Sequence, residues 1–263
     1  LLLLPAATFA QSGRFIQLPR EIIEDRLMQY GGSDSFRANT LKRLFQSAGC
    51  SGNRLSEKKV PDSANPNIIC TLSGTSDQVI IVGAHFDHIL KGSGTADNWS
   101  GASLLPSLYQ SLNSSPRQHT FVFIGFTDEE KGLLGSRFYA DQLTQEGVAQ
   151  VAGMIDLDTL GLGPTKVWVT KSNAKLVKRL NSTATTMRLP VSEMNADGVG
   201  NSDGSSFKRR DIPIITIHSI TNATLGILHT KKDNLSAIKL DDYYDTYRLI
   251  AGYLAILDTA STE

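Results

Sequence analysis

The apolar positions of this chain change rhythm near residue 78. Before that point, Ile22, Ile23, Leu27 and Met28 recur at helical spacing and Gly31-Gly32 interrupts them. A second helical run follows through Leu41, Leu44 and Phe45 and stops before Gly49, with Ser33 or Asp34 placed to cap its start. Strand-like stretches around 53–60 and 67–73 flank Pro61-Asp62-Ser63-Ala64-Asn65-Pro66, and an insert so rich in turn formers predicts a hairpin. From residue 78 onward, continuous apolar runs alternate with helical segments. Val79-Ile80-Ile81-Val82 has no polar alternation, as a central strand covered on both faces requires. Helix 101–112, strand 119–126, helix 135–145, strands 151–157 and 166–170, helix 173–187 and strand 189–194 follow. A helical stretch at 202–210, a strand over 212–217 and a helix over 240–257 close the pattern. This alternation predicts an α/β fold: one three-layer domain spanning 16–260, its mixed, mostly parallel central sheet flanked by helices.

Composition narrows the function classes. Of 263 residues, 40% are hydrophobic and 20% charged, ordinary for a soluble globular chain. Lys plus Arg and Asp plus Glu number 26 each, so no electrostatic footprint marks nucleic acid or an anionic membrane as a partner. The densest basic spot, Lys208-Arg209-Arg210, reads as a solvated helix face. The opening run Leu1-Leu2-Leu3-Leu4-Pro5-Ala6-Ala7-Thr8-Phe9-Ala10, followed by polar residues, has the form of the back half of a secretory signal peptide with cleavage after Ala10. It is too short to span a bilayer as a helix, so the expectation is a secreted or periplasmic protein without stable membrane insertion. The two cysteines, Cys50 and Cys70, allow either one disulfide or a free buried pair. Neither lies in a Cys-x-x-Cys motif, which argues against thiolate metal or redox chemistry.

In open α/β sheets the reactive groups gather just beyond the carboxyl ends of the strands. His85-Phe86-Asp87 and then Asp97-Asn98 follow the strand at 78–83, and Asp128-Glu129-Glu130 follow the strand at 119–126. Asp158 follows the strand at 151–157, and His229 lies across a loop from the strand at 212–218. Each signal is weak alone, because a lone histidine is commonly a core residue and paired acids are commonly a solvated face. Their shared placement is what points to a site. Imidazole and carboxylate without thiolate suit zinc with an open coordination position. An all-oxygen cage for calcium or magnesium is disfavoured by two histidines, while cobalt or manganese would also fit such donors. Asp87, two residues from His85, can orient its ring through the second nitrogen.

Five segments together resemble the co-catalytic di-zinc aminopeptidase family, which includes bacterial secreted leucyl-type aminopeptidases and, more distantly, glutamate carboxypeptidase and glutaminyl cyclase. They are Gly83-Ala84-His85-Phe86-Asp87-His88, Gly94-Thr95-Ala96-Asp97-Asn98-Trp99-Ser100-Gly101, Glu129-Glu130-Lys131-Gly132-Leu133-Leu134-Gly135-Ser136, Asp158-Thr159-Leu160-Gly161 and His229-Thr230-Lys231-Lys232-Asp233. The resemblance covers roughly residues 20 to 258 and implies a zinc-exopeptidase-like fold. It implies two zinc ions, one held by His85, Asp97 and Asp158, the other by Asp97, Glu130 and His229. Three carboxylates and one hydroxide would balance two divalent cations, which matters in a dry cleft where an uncompensated charge costs several kcal/mol. Glu129, left without a metal, is then the general base, and Asp87 the residue that orients His85. The implied substrates are peptides with a free N-terminus.

Two departures from the family pattern bear on the site. Many relatives carry Ser-Asp-His where this chain has Ser202-Asp203-Gly204, and Trp99 replaces a small residue beside Asp97. Trp99 either walls a specificity pocket, with Ile220 and Leu225, or fills core. Two rivals share the fold: a glutaminyl cyclase using one zinc, and a non-catalytic ectodomain that has lost its ligands. Fold alone does not separate them.

Overall fold

The computed structural model describes residues 14–195 and 200–259. The leader remnant expected at 1–10 lies outside the described residues. An eight-stranded sheet forms the centre: β1 (Leu55–Lys58), β2 (Asn67–Leu72), β3 (Val79–His85), β4 (Thr120–Phe126), β5 (Val151–Leu157), β6 (Thr165–Val167), β7 (Val191–Glu193) and β8 (Ile214–His218), in the order β1-β2-β4-β3-β5-β8-β6-β7. The hairpin expected from the Pro61–Pro66 insert is present, with β1 antiparallel to β2 and β2 antiparallel to β4. The middle of the sheet, β4-β3-β5-β8, is parallel throughout. Beyond it β6 runs antiparallel to β8 and parallel to β7.

The continuous apolar strands are explained by two cores, one on each face. Ile80, Val82 and Ala84 of β3, Phe121 and Phe123 of β4, and Ile215 and Ile217 of β8 point to one side. The alternate residues Ile81, Val122, Ile124, Phe126 and Ile214 point to the other. Successive side chains of a strand face opposite ways, so a strand covered on both sides must be apolar at every position. The larger core lies under α1 (Arg20–Leu27), α2 (Asp34–Ser47), α3 (Ser100–Leu112), α6 (Ala174–Met187) and α8 (Leu240–Thr259). The smaller lies under α4 (Leu134–Asp141), α5 (Gln145–Gln150) and α7 (Gly204–Lys208).

α3 is the most enclosed helix, with all but one of its residues buried. Three of its serines satisfy their hydroxyls on neighbouring helices: Ser103 with Tyr243, Ser107 with Arg26 and Ser111 with Tyr247, at 2.7–2.9 Å. Cys50 and Cys70 are disulfide-bonded, closing a loop of sequence separation 20 and tying the end of α2 to β2.

Two expectations are corrected and a third is extended. The helix read over 135–145 stops at Asp141, and a second helix begins after Thr144, whose hydroxyl caps it by accepting from Gly147 N at 3.1 Å. The strand read over 166–170 pairs only through Val167, since 169–171 is a 3-10 turn. The basic run 208–210 is solvated at Lys208 and Arg209, as expected, but it also braces α4. Arg209 Nη2 meets Asp141 Oδ1 at 2.5 Å, while Arg210 donates to the carbonyls of Ala140 and Leu143.

Candidate metal centre

His85 is the last residue of β3 and is buried, with 2% of its side chain exposed. Its Nε2 lies 3.4 Å from Asp97 Oδ1 and 3.9 Å from Asp158 Oδ1. Asp97 turns its other oxygen to His229, whose Nε2 is 3.1 Å from Asp97 Oδ2 and 3.2 Å from Glu130 Oε1. Two sets of ligand-type atoms, His85/Asp97/Asp158 and Asp97/Glu130/His229, each fall within 4.8 Å of one another. All five residues read from the sequence therefore meet at one edge of the sheet, with Asp97 common to both sets.

The local chain conformation explains this convergence. Asn98 donates to Leu157 O at 2.8 Å and accepts from Gly101 N and Thr159 N at 3.0 and 3.1 Å, which ties the Asp97 segment to the end of β5 beside Asp158. A β-carbon at residue 101 would lie 2.6 Å from both Asn98 Oδ1 and Leu157 O, so glycine is needed where α3 meets β5. Asp87 accepts from the backbone N–H groups of Glu129 and Glu130 at 3.0 and 3.1 Å, one on each oxygen. Its Oδ1 is 3.5 Å from His85 Nδ1, and its backbone oxygen is closer, at 3.2 Å. Asp87 thus holds the Glu129-Glu130 turn as much as the imidazole. Asp128, Leu133, Thr159 and His229 all have φ between 53° and 64°. Left-handed non-glycine residues are uncommon and tend to gather where a site is over-determined by its surroundings.

The electrostatics are those of a site short of positive charge. Burial, with Asp203, Asp158 and Asp97 nearby, pushes the Glu129 carboxyl well above its ordinary range. Burial and Asp97 push Glu130 up to about 7, and burial and Asp97 do the same to Asp158. Burial works against ionisation of Asp97 too, but hydrogen bonds from His229 and His85 hold it below the usual carboxylate range. The hydrogen bond to Asp97 raises His229 to about 9. Glu130 Oε1 is buried and accepts no hydrogen bond, although His229 Nε2 is near. Buried carboxylates in this density need cations, and the imidazole and carboxylate donors fit zinc.

Ligand-type atoms line a cleft of about 270 Å³, together with Glu129, Gly132, Leu133, Arg137, Thr159, Trp168, Asn201, Thr216, His218, Ile220 and Leu228. Trp99 does not reach it. Its ring is fully buried, donates from Nε1 to Arg26 O at 3.3 Å and lies 5.8 Å from the Arg37 guanidinium, so the core reading of Trp99 holds and the wall reading fails. Ile220 lines the cleft as expected, whereas Leu225 is 38% exposed and lies outside it. Trp168, Leu228 and His218 were missed, because Trp168 sat inside an overlong strand and His218 at the end of an apolar one. Gly204, the departure from the family pattern, has a local reason: a β-carbon there would lie 2.9 Å from Asp156 Oδ2, which accepts from Gly204 N and Thr216 Oγ1.

The model of peptidase family M28 matches residues 67–254, and the chain belongs to that family. Leucine aminopeptidase 1 of Trichophyton rubrum is 29% identical over 221 residues, covering 74% of this chain and 58% of its own. The chain spans about half the length of the curated relatives it matches, 40% and 57% for two of them. Among solved structures, the LapA aminopeptidase of Legionella pneumophila superposes with a TM-score of 0.82 at 21% identity, over 92% of this chain and 72% of that one. BSAP, a zinc aminopeptidase of Bacillus subtilis, gives 0.66 at 21% identity, over 75% and 52%. A glutaminyl cyclase of an Acidobacteriales bacterium gives 0.73 at 18% identity, over 97% of this chain and 99% of that one.

Proposed function

We propose that this chain is a zinc-dependent aminopeptidase that removes the N-terminal residue of peptides. One zinc would be held by His85, Asp97 and Asp158, a second by Asp97, Glu130 and His229, with Glu129 as general base. The observation that carries this reading is the placement of Asp97, whose two oxygens face separate histidines at 3.4 and 3.1 Å. Zinc bound there supplies Lewis acidity, which polarises a carbonyl and makes a water easier to deprotonate.

The chain's own groups account for the rest of the chemistry. Glu129 lines the cleft and belongs to neither ligand set, so its carboxylate is free to take a proton from the attacking water and hand it to the departing amine. Asp87 fixes the main chain of Glu129 and so aims its side chain. Glu129, the cleft carboxylate left outside the balance of the two cations by Asp97, Glu130 and Asp158, favours an amino terminus nearby. Ile220, Leu228, Leu133 and Trp168 form the apolar part of the lining, which suits Leu, Met or Phe as the residue removed. Burying such a side chain contributes roughly 1.5–3 kcal/mol.

Whole-length similarity to a glutaminyl cyclase motivates a second reading, cyclisation of N-terminal Gln with loss of ammonia around one zinc. A complete second ligand set favours hydrolysis. Assay on Leu-, Lys-, acetyl-Leu- and Gln-anilides separates the readings. Release of Leu but not acetyl-Leu is expected, acetyl-Leu hydrolysis contradicts the aminopeptidase, Lys outrunning Leu contradicts the apolar pocket, and pyroglutamate formation establishes the rival. Export from the cytoplasm belongs to the same proposal. It is supported by the Cys50–Cys70 disulfide, because such bonds persist in oxidising compartments. No described helix is long and apolar enough to cross a membrane.

A further inference from the structure

Two buried side chains outside both ligand sets grip the segment that carries Asp97. Asp233 is 2% exposed, and its carboxylate accepts from Ala96 N at 2.7 Å and from Asp97 N at 3.2 Å. Its backbone oxygen accepts from Ser93 N at 2.8 Å and Ser93 Oγ at 3.0 Å. Arg37, fully buried on α2, reaches the same segment from the other side and donates to the carbonyls of Phe86, Ser93 and Gly94. Gly92 lets the two backbones meet, since a β-carbon there would lie 2.2 Å from Thr230 O. These hydrogen bonds run mainly to backbone groups of residues 86–97, so they set where the main chain lies. Burying ionisable side chains is an expensive way to fill space unless hydrogen bonds satisfy them. Placement of the loop is what such groups offer in return.

Asp233 also stands four residues beyond His229, on a stretch whose only regular structure is two 3-10 turns, Leu225–Ile227 and Leu235–Ala237. His229 is 49% exposed at its side chain, so burial holds it weakly. His85 and Asp158, by contrast, are fixed on or next to the ends of β3 and β5.

We propose that Asp233, backed by Arg37, is a positioning residue that locks the His229 loop onto the Asp97 segment and thereby builds the second zinc site. This rests on the two-zinc reading above. Loss of the clamp loosens Asp97 in both sites, but the first keeps His85 and Asp158, which strands set, while the second also loses its hold on the His229 loop. The clamp therefore orders the two sites, and the first to release its ion is the one containing His229.

Zinc titration of the metal-free full chain, against a chromogenic chelator, tests this in wild type, Asp233→Asn and Asp233→Ala, alongside melting temperature and circular dichroism. Asp233→Asn keeps the volume and one acceptor, so it carries the test if Asp233→Ala does not fold. Wild type is expected to bind two zincs. Asp233→Asn should hold the first within about 3-fold and the second about 10–100-fold more weakly, the usual effect of removing a group that orients a ligand. Asp233→Ala, where it folds, should show the larger loss. A folded Asp233→Asn that binds both zincs like wild type, or loses both equally, overturns the inference while leaving the two-zinc reading intact. Wild type binding fewer than two overturns that reading and the inference with it.

Discussion

His85 and Asp158 reach the proposed centre from the ends of β3 and β5, whereas Glu130 and His229 reach it from loops. The strand-borne histidine is 2% exposed and the loop-borne one 49%. The first pair inherits its position from the sheet, where parallel register fixes Gly83 beside Asp156 two residues short of both ligands. The second pair depends on side-chain hydrogen bonds to backbone: Asp87 under Glu129 and Glu130, Asp233 under Ala96 and Asp97. A site can thus be rigid on one side at no extra cost and need dedicated polar groups on the other.

The largest expected effect falls at the junction of these halves. Glu129→Gln should retain both zincs yet lower turnover on Leu-anilide by about 10²–10⁴-fold, the scale of a lost general base. Near-native turnover would mean that Glu129 is not the base. Next in size is Trp99→Ala, a cavity under the Asp97 segment, which should destabilise by about 3–5 kcal/mol in chemical denaturation. Once folded, it should keep its discrimination between Leu- and Ala-anilide. Leu228→Ala should do the reverse, lowering that discrimination up to about 10-fold with little change in stability, because Leu228 lines the cleft and Trp99 does not. A loss of discrimination in Trp99→Ala alone would return that residue to the pocket. Reduction of the disulfide, or Cys50→Ser with Cys70→Ser, should cost about 3 kcal/mol for a loop of this length. The effect should leave zinc stoichiometry unchanged, since both cysteines lie away from the ligands.

The smallest effect concerns His218, on the β8 wall of the cleft. Burial pushes its imidazole down to about 4. Nδ1 accepts from Ile220 N at 3.1 Å and Nε2 faces Met194 O at 3.0 Å, so the neutral form with the proton on Nε2 is the one the fold stabilises. Its folded pKa lies below the ordinary 6.5, hence its contribution is complete above pH 6.5 and is lost as pH falls towards 4. Melting temperature measured over that window should fall less steeply in His218→Gln than in wild type. Parallel slopes would show that His218 is not held neutral.

Much of this architecture was legible because fully buried strands must be apolar throughout and the residues of the candidate site follow their ends. Val79–Val82 and Ile214–Ile217 announced themselves in that way, and so did His85 and Asp158 after β3 and β5. Helix breaks were harder. Thr144, the residue that starts α5, looked like an interior position of a continuing helix until its hydroxyl was seen to cap Gly147 N. Of the groups that shape the site without joining it, Asp87 was legible beside His85, Asp233 stood at the end of the His229–Asp233 segment with no role attached, and Arg37 carried no signal. Arg37 and Asp233 act on the 86–97 segment from positions about 50 and 140 residues away in the chain, and a local motif, even one that includes Asp233, does not say which distant backbone it will hold. Trp99 beside Asp97 left wall and core equally open in the sequence, and the chain turns there and sends the indole into the core beneath α1.

The central claim is that Asp97 lies between two zinc ions, and anomalous scattering at the zinc edge from a zinc-loaded crystal tests it most directly. Two peaks are expected, about 3.5–4 Å apart, one near His85 and Asp158 and the other near Glu130 and His229, with Asp97 oxygens about 2.0–2.2 Å from each. A single peak in zinc-saturated protein, or two peaks of which one lies away from Asp97, would contradict the account.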